Sequence, residues 1–416
     1  MITNKNLQPE NVIDNLKELH RLTGDEWGSQ RLAWSETWEK SRDWLKDKLA
    51  ELPVEIEIDQ AGNTWATLKG KSTKTLVLGS HIDSVANGGW LDGCLGVVAG
   101  MEILRRFSVM GQPPITIRLV SWADEEGTQF GRSLYGSSVV TGNFKPDQLR
   151  TLTDKSGNRL EDVLNRYGVD LATAGDSGMQ LANVAANLEL HIEQGPVLES
   201  LDQPLGAVVG ALGVERHSVR FTGQTSHAGS TPMNMRRDAL AAAAKLELEI
   251  REIANRHGGV CTIGSVITRP GIVTAVVGQC DCLLDQRNLD KNALARMLQE
   301  AREASDRFAA EENVEVEWNR IYQIDPVFFN SALIDLCEDS IREICGSPYR
   351  LPSGPLHDAV EIARIGIPTA MMFVQSLRGL SHTKEEDTRE DHLLLAVKAF
   401  DRLAEKTVNW IVDQEK

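Results

Sequence analysis

Apolar residues in the first two hundred positions recur at helical spacing in some segments and at strand spacing in others. The segment 35–52 places Trp38, Trp44 and Leu45 at helical spacing, and the segment 96–107 predicts a second helix of small and aliphatic residues. Short apolar runs predict strands at residues 54–58, 64–68, 75–78, 115–122 and 188–190. Strands that alternate with helices predict an α/β domain whose mixed, largely parallel sheet is flanked by helices.

A different order of elements begins near Leu205. Strands are predicted at 207–209 and 214–221, a helix at 237–257, strands at 260–268 and 279–286, a helix at 291–311 and a strand at 314–318. From the strand at 214–221 onward, this β-α-β-β-α-β order is typical of one two-layer α+β unit. Alternation then resumes with a helix at 331–344, a strand at 368–373 and a helix at 391–412. The pattern therefore predicts a catalytic domain made of residues 1–204 and 326–416, with residues 205–325 inserted between its parts.

The composition of the chain argues against several classes of protein. A net charge of −16 over 416 residues argues against a nucleic-acid or anionic membrane surface, although it does not exclude an acidic substrate. No apolar run approaches the roughly 20 residues of a membrane span, and the first five residues lack the apolar core of a signal peptide. Six cysteines in so long a chain do not form a disulfide framework, which favours a reduced, cytoplasmic protein.

Metal-binding side chains follow the predicted strands. Since open α/β sheets place their sites at the carboxyl ends of strands, these side chains are expected to lie close together. Two imidazoles and a carboxylate suit one divalent cation, and five groups with one shared carboxylate suit two cations. Taken singly, Asp92 is equally well explained as a helix N-cap, and His81 as a hydrogen-bonded structural histidine. The candidate ligands are His81, Asp92, Glu126, His191 and His382.

Two adjacent glutamates end the strand predicted at 115–122. The carboxylates of Glu125 and Glu126 would repel each other unless a cation or a proton lies between them. In the metal interpretation Glu126 is a ligand, and Glu125 is the general base that moves a proton from water to the leaving nitrogen. The alternative is a solvated acidic turn. Asp83, two residues after His81, could hold the second nitrogen of that imidazole.

Five segments together resemble the hydantoinase/carbamoylase family of amidases. This family includes N-carbamoyl-L-amino-acid hydrolases, allantoate and ureidoglycolate amidohydrolases and β-ureidopropionases, and it is related to dizinc aminoacylases and carboxypeptidases. The run ELHIEQG is specific for this branch, because the related peptidases usually carry an acidic ligand there. The matching segments are GSHIDSV (79–85), GGWLDG (88–93), EEG (125–127), ELHIEQGPVLE (189–199) and SHAGSTPM (226–233).

The resemblance implies two divalent cations, which would be zinc, manganese, cobalt or nickel. His81 and His191 would bind one cation, Glu126 and His382 the other, and Asp92 both. Glu125 would be the base. The inserted domain would be a lid and a dimerisation domain, and His227 would reach in from the partner subunit to stabilise the oxyanion. Without the family, His227 would be interpreted as a turn residue.

The substrate-binding residues match the family only in part. Arg287 stands where the family has an arginine that holds the substrate carboxylate. Thr274 replaces an asparagine, Val277 replaces a proline, and Leu356 replaces a small glycine. Common N-carbamoyl-L-amino acids are therefore expected to be poor substrates. Gln194 and His227 are further candidate substrate contacts. Asp83 and Asp358 are candidates for residues that contact and orient the metal ligands without binding the metal themselves.

The sequence thus predicts a binuclear metal-dependent amidohydrolase that cleaves a linear amide or ureido C–N bond in a small, carboxylate-bearing substrate. Alternatives within that chemistry are an allantoate or ureidoglycolate amidohydrolase and an atypical N-acyl or aryl amide hydrolase. An aminoacylase or dipeptidase is disfavoured because His191 stands where those enzymes carry an acid. From a different class, the chain could be a metal-free binding protein whose cleft retains a ligand.

Overall fold

The computed structural model describes residues 6–144 and 146–414, so the first five residues, which argued against a signal peptide, lie outside the described residues. Two compact units are present. One consists of the described residues up to Val209 together with those from Phe328 onward, and the other spans Gly210–Val327. No helix in the described ranges is both long enough and apolar enough to cross a bilayer.

The bounds of the elements define the labels used below. The helices are α1 Pro9–Thr23, α2 Glu36–Ala50, α3 Cys94–Val109, α4 Tyr135–Val140, α5 Pro146–Leu149, α6 Leu160–Arg166, α7 Val197–Ser200, α8 Ala239–His257, α9 Lys291–Glu311, α10 Ser331–Cys345, α11 Asp358–Arg364 and α12 Glu390–Asp413. The strands are β1 Gly24–Asp25, β2 Gly28–Ser29, β3 Glu55–Ile58, β4 Thr64–Leu68, β5 Ser72–His81, β6 Ile115–Trp122, β7 Val184–Ile192, β8 Leu205–Ala211, β9 Gly213–Thr222, β10 Ser226–His227, β11 Val260–Arg269, β12 Ala275–Val276, β13 Gln279–Asn288, β14 Glu315–Ile324, β15 Val327–Phe328, β16 Arg350–Ser353 and β17 Thr369–Val374.

A mixed sheet forms the core of the first unit. Its strand order is β15-β8-β17-β7-β5-β6-β4-β3, with β16 pairing with β8. The four central strands β17, β7, β5 and β6 run parallel, whereas β8 and the β3–β4 hairpin pair antiparallel. Helices α3, α10, α11 and α12 pack against the sheet. The central strands are almost wholly buried, as expected where helices cover a parallel sheet. The predicted α/β class with a mixed sheet is confirmed, and the parallel pairing is found in the four central strands.

One strand differs from the sequence interpretation. The segment 207–209 was assigned to the insertion that begins at residue 205, but β8 pairs through Leu205–Val208 with β17 of the first sheet. Short apolar runs show that a strand is buried but not which strand is its partner, so the pattern could not separate the two sheets.

The second unit is a four-stranded antiparallel sheet covered by two helices. Its order is β11-β13-β9-β14, and α8 and α9 pack on it in the predicted β-α-β-β-α-β sequence. Asp238 and Asp290 cap the starts of the two helices through backbone N–H groups, and Gly258 ends α8 in a left-handed conformation. The buried faces meet in one apolar core that includes Phe221 and Leu246.

Candidate metal centre

Five candidate ligands lie at one edge of the first sheet. His81 is the last residue of β5, His191 lies near the end of β7, and Glu126 follows β6 in a turn. Asp92 lies just before α3, and His382 follows β17 in a loop. Because β5, β6, β7 and β17 are parallel, their carboxyl ends meet at this edge.

Asp92 stands between two groups of ligands. Its Oδ1 atom lies 3.7 Å from Nε2 of His81 and 3.2 Å from Nε2 of His191. Its Oδ2 atom lies 3.4 Å from Nε2 of His382, which in turn lies 3.5 Å from Oε2 of Glu126. Each group of three offers ligand atoms close enough to share one cation. The Asp92 carboxylate therefore presents one oxygen to each of two potential cation sites.

The tautomers of two histidines fit metal binding. Nδ1 of His81 lies 3.1 Å from the carbonyl of Asp83, and Nδ1 of His191 lies 2.9 Å from the carbonyl of Ile192. A carbonyl only accepts, so both Nδ1 atoms carry a proton, and in the neutral imidazoles the Nε2 atoms are the ones available to bind a cation. These Nε2 atoms lie 3.7 Å and 3.2 Å from Oδ1 of Asp92, so a proton or a cation has to lie between each imidazole and the carboxylate. The donor set therefore fits divalent cations.

Buried acidic oxygens at the site also favour the binding of positive charge. Oε1 of Glu126 is buried without a hydrogen-bond partner. Burial, reinforced by Asp92, raises the pKa of Glu126 to about 8, and the hydrogen bond with Asp92 raises the pKa of His382 to about 9. Burial also raises the pKa of Glu125 well above its usual range. Bound cations would relieve this crowding of carboxylates.

Gly93 allows the ligands to approach each other. Its φ angle is 65°, and a Cβ atom there would lie 2.4 Å from ring atoms of His81. Any side chain at this position would displace the imidazole. Gly93 is also the N-cap residue of α3, without a side-chain cap. The carboxylate of Asp92 is thus not used as the helix cap, which was the alternative interpretation of this residue.

Asp83 organises the turn that carries both glutamates. Its Oδ1 atom accepts from the backbone N–H of Glu125 (3.3 Å), and its Oδ2 atom accepts from that of Glu126 (3.2 Å). The two carboxylate side chains are thereby fixed on the metal side of the turn. Oε2 of Glu125 lies 3.7 Å from Nε2 of His81. Asp83 therefore orients His81 through its carbonyl and the two glutamates through its carboxylate.

Gln194 links ligands of both groups. Its amide nitrogen donates to Oδ2 of Asp92 at 2.9 Å and lies 3.4 Å from Nε2 of His382. Gln194, His382 and Asp124 all have positive φ angles, between 55° and 57°. Such left-handed conformations cost about 1–3 kcal/mol each for residues other than glycine, and they concentrate at functional sites.

Two residues near the centre have no counterpart in the sequence interpretation. The His357 ring lies 4.4 Å from that of His191, and its Nε2 atom is buried without a partner. Glu386 accepts hydrogen bonds from the backbone at Asp92. His357 directly precedes Asp358 and could have been noticed there, whereas Glu386 lies in an acidic stretch that looks like a solvated loop.

A third group of possible ligands uses the same histidine. Glu189, His191 and His357 lie close enough to hold one ion. The oxygens of Glu189 already accept from the hydroxyl of Ser80 (2.6 Å) and the N–H of Ala359 (3.0 Å). Nε2 of His191 also lies 3.2 Å from Oδ1 of Asp92. The two groups that share Asp92 are therefore the better metal sites.

Three candidate residues belong to the second unit. His227 is exposed on β10, which pairs with β12, and the N–H of Ala228 donates to the carbonyl of Thr274 at 2.8 Å. Nδ1 of His227 accepts from the N–H of Gly229 at 3.1 Å. Its Nε2 atom is therefore the protonated nitrogen and can donate to a substrate oxygen. His227 and Thr274 are thus neighbours at a short antiparallel pair of strands that are far apart in the chain.

The guanidinium of Arg287 is held by its own strand. Its Nε atom donates to Oδ1 of Asp285 at 2.7 Å, and its NH2 group donates to Oδ2 at 3.1 Å. Asp285 also accepts from Nε of Arg216 at 2.7 Å. Asp285 thus occupies the Nε–Nη2 edge of the guanidinium and fixes its orientation, so an acidic ligand would have to approach another edge.

Leu356 and Asp358 flank His357 in the first unit. Leu356 is half-buried. Asp358 is fully buried at the start of α11, and its Oδ1 atom accepts from the hydroxyl of Ser137 at 2.5 Å. Asp358 thus anchors α11 within the first unit and makes no direct contact with a candidate ligand among the described hydrogen bonds.

Comparisons with known proteins match most of this chain. The profile of the peptidase family M20/M25/M40 matches residues 77–406, which include all five candidate ligands. An N-carbamoyl-L-amino acid amidohydrolase from Geobacillus stearothermophilus is 32% identical over 92% of this chain and 95% of its own length. An allantoate amidohydrolase from Escherichia coli K12 is 34% identical over 90% of this chain and 91% of its own length.

A solved structure has the same architecture. The crystal structure of an amidase of the hydantoinase/carbamoylase family from Burkholderia multivorans matches with a TM-score of 0.88 at 29% sequence identity. The match covers 95% of this chain and 97% of that chain. Both units of the chain therefore lie within the region of similarity.

Proposed function

Because this chain belongs to the peptidase family M20/M25/M40, and within it to the hydantoinase/carbamoylase amidases, we propose that it is a binuclear metal-dependent amidohydrolase. It hydrolyses a linear amide or ureido C–N bond, not a peptide bond, in a small substrate that carries a carboxylate. The observation that carries this proposal is the Asp92 carboxylate, which presents one oxygen to each of two ligand groups beside the buried Glu125.

Five residues would hold the two cations. His81 and His191 would bind the first, Glu126 and His382 the second, and Asp92 both. When bound, the cations polarise the scissile carbonyl and lower the pKa of water so that it can attack near neutral pH. Zinc, manganese, cobalt and nickel all suit this mixture of imidazole and carboxylate ligands.

Glu125 carries the proton in this mechanism. Its carboxylate takes a proton from the attacking water as the new C–O bond forms. It then returns that proton to the substrate nitrogen as the C–N bond breaks, so that the leaving group departs as a neutral amine or ammonia. The raised pKa of Glu125, which follows from its burial, makes it a competent donor in the second step. An N-carbamoyl amino acid would yield the amino acid, ammonia and carbon dioxide.

The second unit supplies substrate contacts. The fork of Arg287, oriented by Asp285, binds the substrate carboxylate. His227 donates through Nε2 to the oxyanion that develops on the scissile carbonyl. The other proposed substrate contacts are Gln194 and Leu356 of the first unit and Thr274 of the second. The six cysteines are free thiols, which fits a reduced, cytoplasmic enzyme.

A substrate panel tests which amide is cleaved. Because Leu356 adds bulk and Thr274 replaces an amide side chain, we expect common N-carbamoyl-L-amino acids to be cleaved less efficiently than other linear ureido or amide substrates. The panel should include allantoate, ureidoglycolate, N-carbamoyl-β-alanine, N-acyl amino acids, aryl amides and dipeptides, and kcat/KM is measured with metal-reconstituted enzyme. The similarity to an allantoate amidohydrolase makes allantoate the first alternative substrate. A best rate with N-carbamoyl-L-methionine would show that the pocket argument is wrong.

The enzyme is further proposed to be a homodimer joined through the second unit. Strand β11 is an edge of its sheet, and Val266 and Ile267 on this strand are 50% and 53% exposed. Pairing of two such edges would cover these side chains. His227 of the partner subunit would then complete each site.

Disruption of this edge tests the dimer. We expect Ile267→Lys to shift the protein to a monomer in analytical ultracentrifugation, because an unpaired charge opposes burial. We also expect kcat/KM to fall about 100-fold, since removal of one oxyanion donor costs roughly 3 kcal/mol. Ile321→Lys, at a 58% exposed site on the opposite edge strand β14, is the matched control. A fully active monomer would contradict both the dimer and the role of His227.

A further inference from the structure

Glu386 connects the two chain segments that carry metal ligands. Its Oε1 atom accepts from the backbone N–H groups of Leu91 and Asp92, both at 3.0 Å. Its Oε2 atom accepts from the hydroxyl of Ser381 at 2.8 Å, and Ser381 directly precedes His382. The side chain is 1% exposed. One buried carboxylate therefore binds the backbone beside one ligand and the side chain beside another.

The segment before Asp92 is shaped around this carboxylate. A Cβ atom on Gly89 would lie 2.1 Å from Oε1 of Glu386. Residue 89 therefore has to be glycine for the loop to reach the carboxylate. Ser381 extends the contact, since its hydroxyl also lies 3.1 Å from Oδ2 of Asp92. Glu386 and Ser381 thus contact Asp92 at its backbone N–H and at its Oδ2 atom.

His382 depends on such support more than the other ligands do. Its side chain is 52% exposed, whereas those of His81 and His191 are 1% exposed. It lies in a loop, and its backbone has a φ angle of 57°, a conformation that is strained for histidine. Packing alone therefore leaves this imidazole free to move, and the hydrogen bonds of its loop must hold it.

We propose that Glu386 is a positioning residue that fixes the distance between Asp92 and His382, and that it thereby controls the affinity of the second cation site. This inference rests on the proposed metal centre. Glu386 ties together residues about 290 positions apart, which distinguishes it from a local cap. Removing the carboxylate would free both loops and leave the amides of Leu91 and Asp92 without an acceptor.

Metal titration of the full-length protein tests the proposal. Zinc or cobalt is added to the metal-depleted enzyme in a calorimeter, and the cobalt absorption spectrum is recorded in parallel. We expect Glu386→Ala to weaken the second equivalent of metal about 10–100-fold, as removal of groups that orient metal ligands typically does. The first equivalent should change much less, because His81 and His191 keep their own carbonyl acceptors.

A conservative variant separates positioning from general stability. In Glu386→Gln the remaining oxygen still accepts from both backbone amides, and the new NH₂ group can donate to Ser381. We therefore expect this variant to restore the second affinity to within about threefold of wild type, as suits the exchange of one hydrogen-bond type for another. Glu361→Ala is the matched control, because Glu361 is also buried and its carboxylate binds Asn143 and Arg364, not a metal ligand, among the described hydrogen bonds.

The outcomes are distinct. Two equivalents bound by Glu386→Ala as tightly as by Glu361→Ala would overturn the proposal. If Glu386→Ala does not fold, Ser381→Ala replaces it, because it removes the hydrogen bond from the His382 loop to Glu386 together with the contact of the same hydroxyl with Asp92. An unchanged second affinity in that variant would equally overturn the proposal. Wild-type protein that binds no divalent metal would instead refute the proposed function itself.

Discussion

Replacing Glu125 with glutamine is expected to lower kcat by about 10²–10⁴-fold, the usual contribution of a general acid–base group. The amide has nearly the same shape as the carboxylate but cannot take a proton from water. Glu125 is not among the groups that share Asp92, so both cations should remain bound. The measurement is kcat for the best substrate of the panel, with the metal content determined by elemental analysis of the same sample.

Glu385→Gln is the control for this experiment. Glu385 is exposed near His382, and its carboxylate accepts only from Thr383 among the described hydrogen bonds. The control should retain wild-type kcat and two cations. Unchanged turnover in Glu125→Gln would remove Glu125 from the role of base. Loss of one cation together with activity would make Glu125 a ligand instead.

Replacing Asp92 with alanine is expected to remove both cations. Asp92 is the one residue common to the two ligand groups, and its loss leaves each group with two side chains. Since bound cations contribute several kcal/mol to stabilisation of the transition state, activity should fall roughly a thousandfold or more. Metal stoichiometry after dialysis, measured beside activity, checks both effects.

Two further variants show whether the loss of cations and activity is specific to Asp92. Asp391→Ala removes an exposed carboxylate on α12 that pairs with Arg389, and it should keep both cations and full activity. His382→Ala removes a ligand of the second group alone and should retain one cation. If Asp92→Ala still bound two cations, the carboxylate would not be shared, and the ligand groups would have to be reassigned.

Several elements follow directly from the sequence pattern. The strands at 64–68 and 115–122 and the helix at 291–311 have the same bounds in the structure as β4, β6 and α9. Each is a continuous apolar run or an amphipathic repeat with a clear end. Helix α1 was not predicted, and β8 was placed in the wrong sheet. These cases depend on contacts with distant segments, such as the packing of α1 on α3 and the pairing of β8 with β17.

The family assignment also came from the sequence and was confirmed by the comparisons. Long motifs such as ELHIEQG identify a family because several chemically specific residues occur in a fixed order. The roles of the individual residues remain proposals. The structure does bring the five candidate ligands together, with Glu125 beside them, at the edge where parallel strands end.

The sequence by itself determined which side chains are available for metal chemistry and where the strands that carry them end, because both depend on residue type and local periodicity. Only the tertiary structure decided that Asp92 offers one oxygen to each ligand group, that Gly93 makes room for His81, and that Glu386 joins loops about 290 residues apart. These features depend on the distances and orientations between segments that come together only when the sheet has formed. The local sequence does not show which distant segments will come into contact. An exposed acidic loop residue and a buried one such as Glu386 therefore have the same sequence pattern.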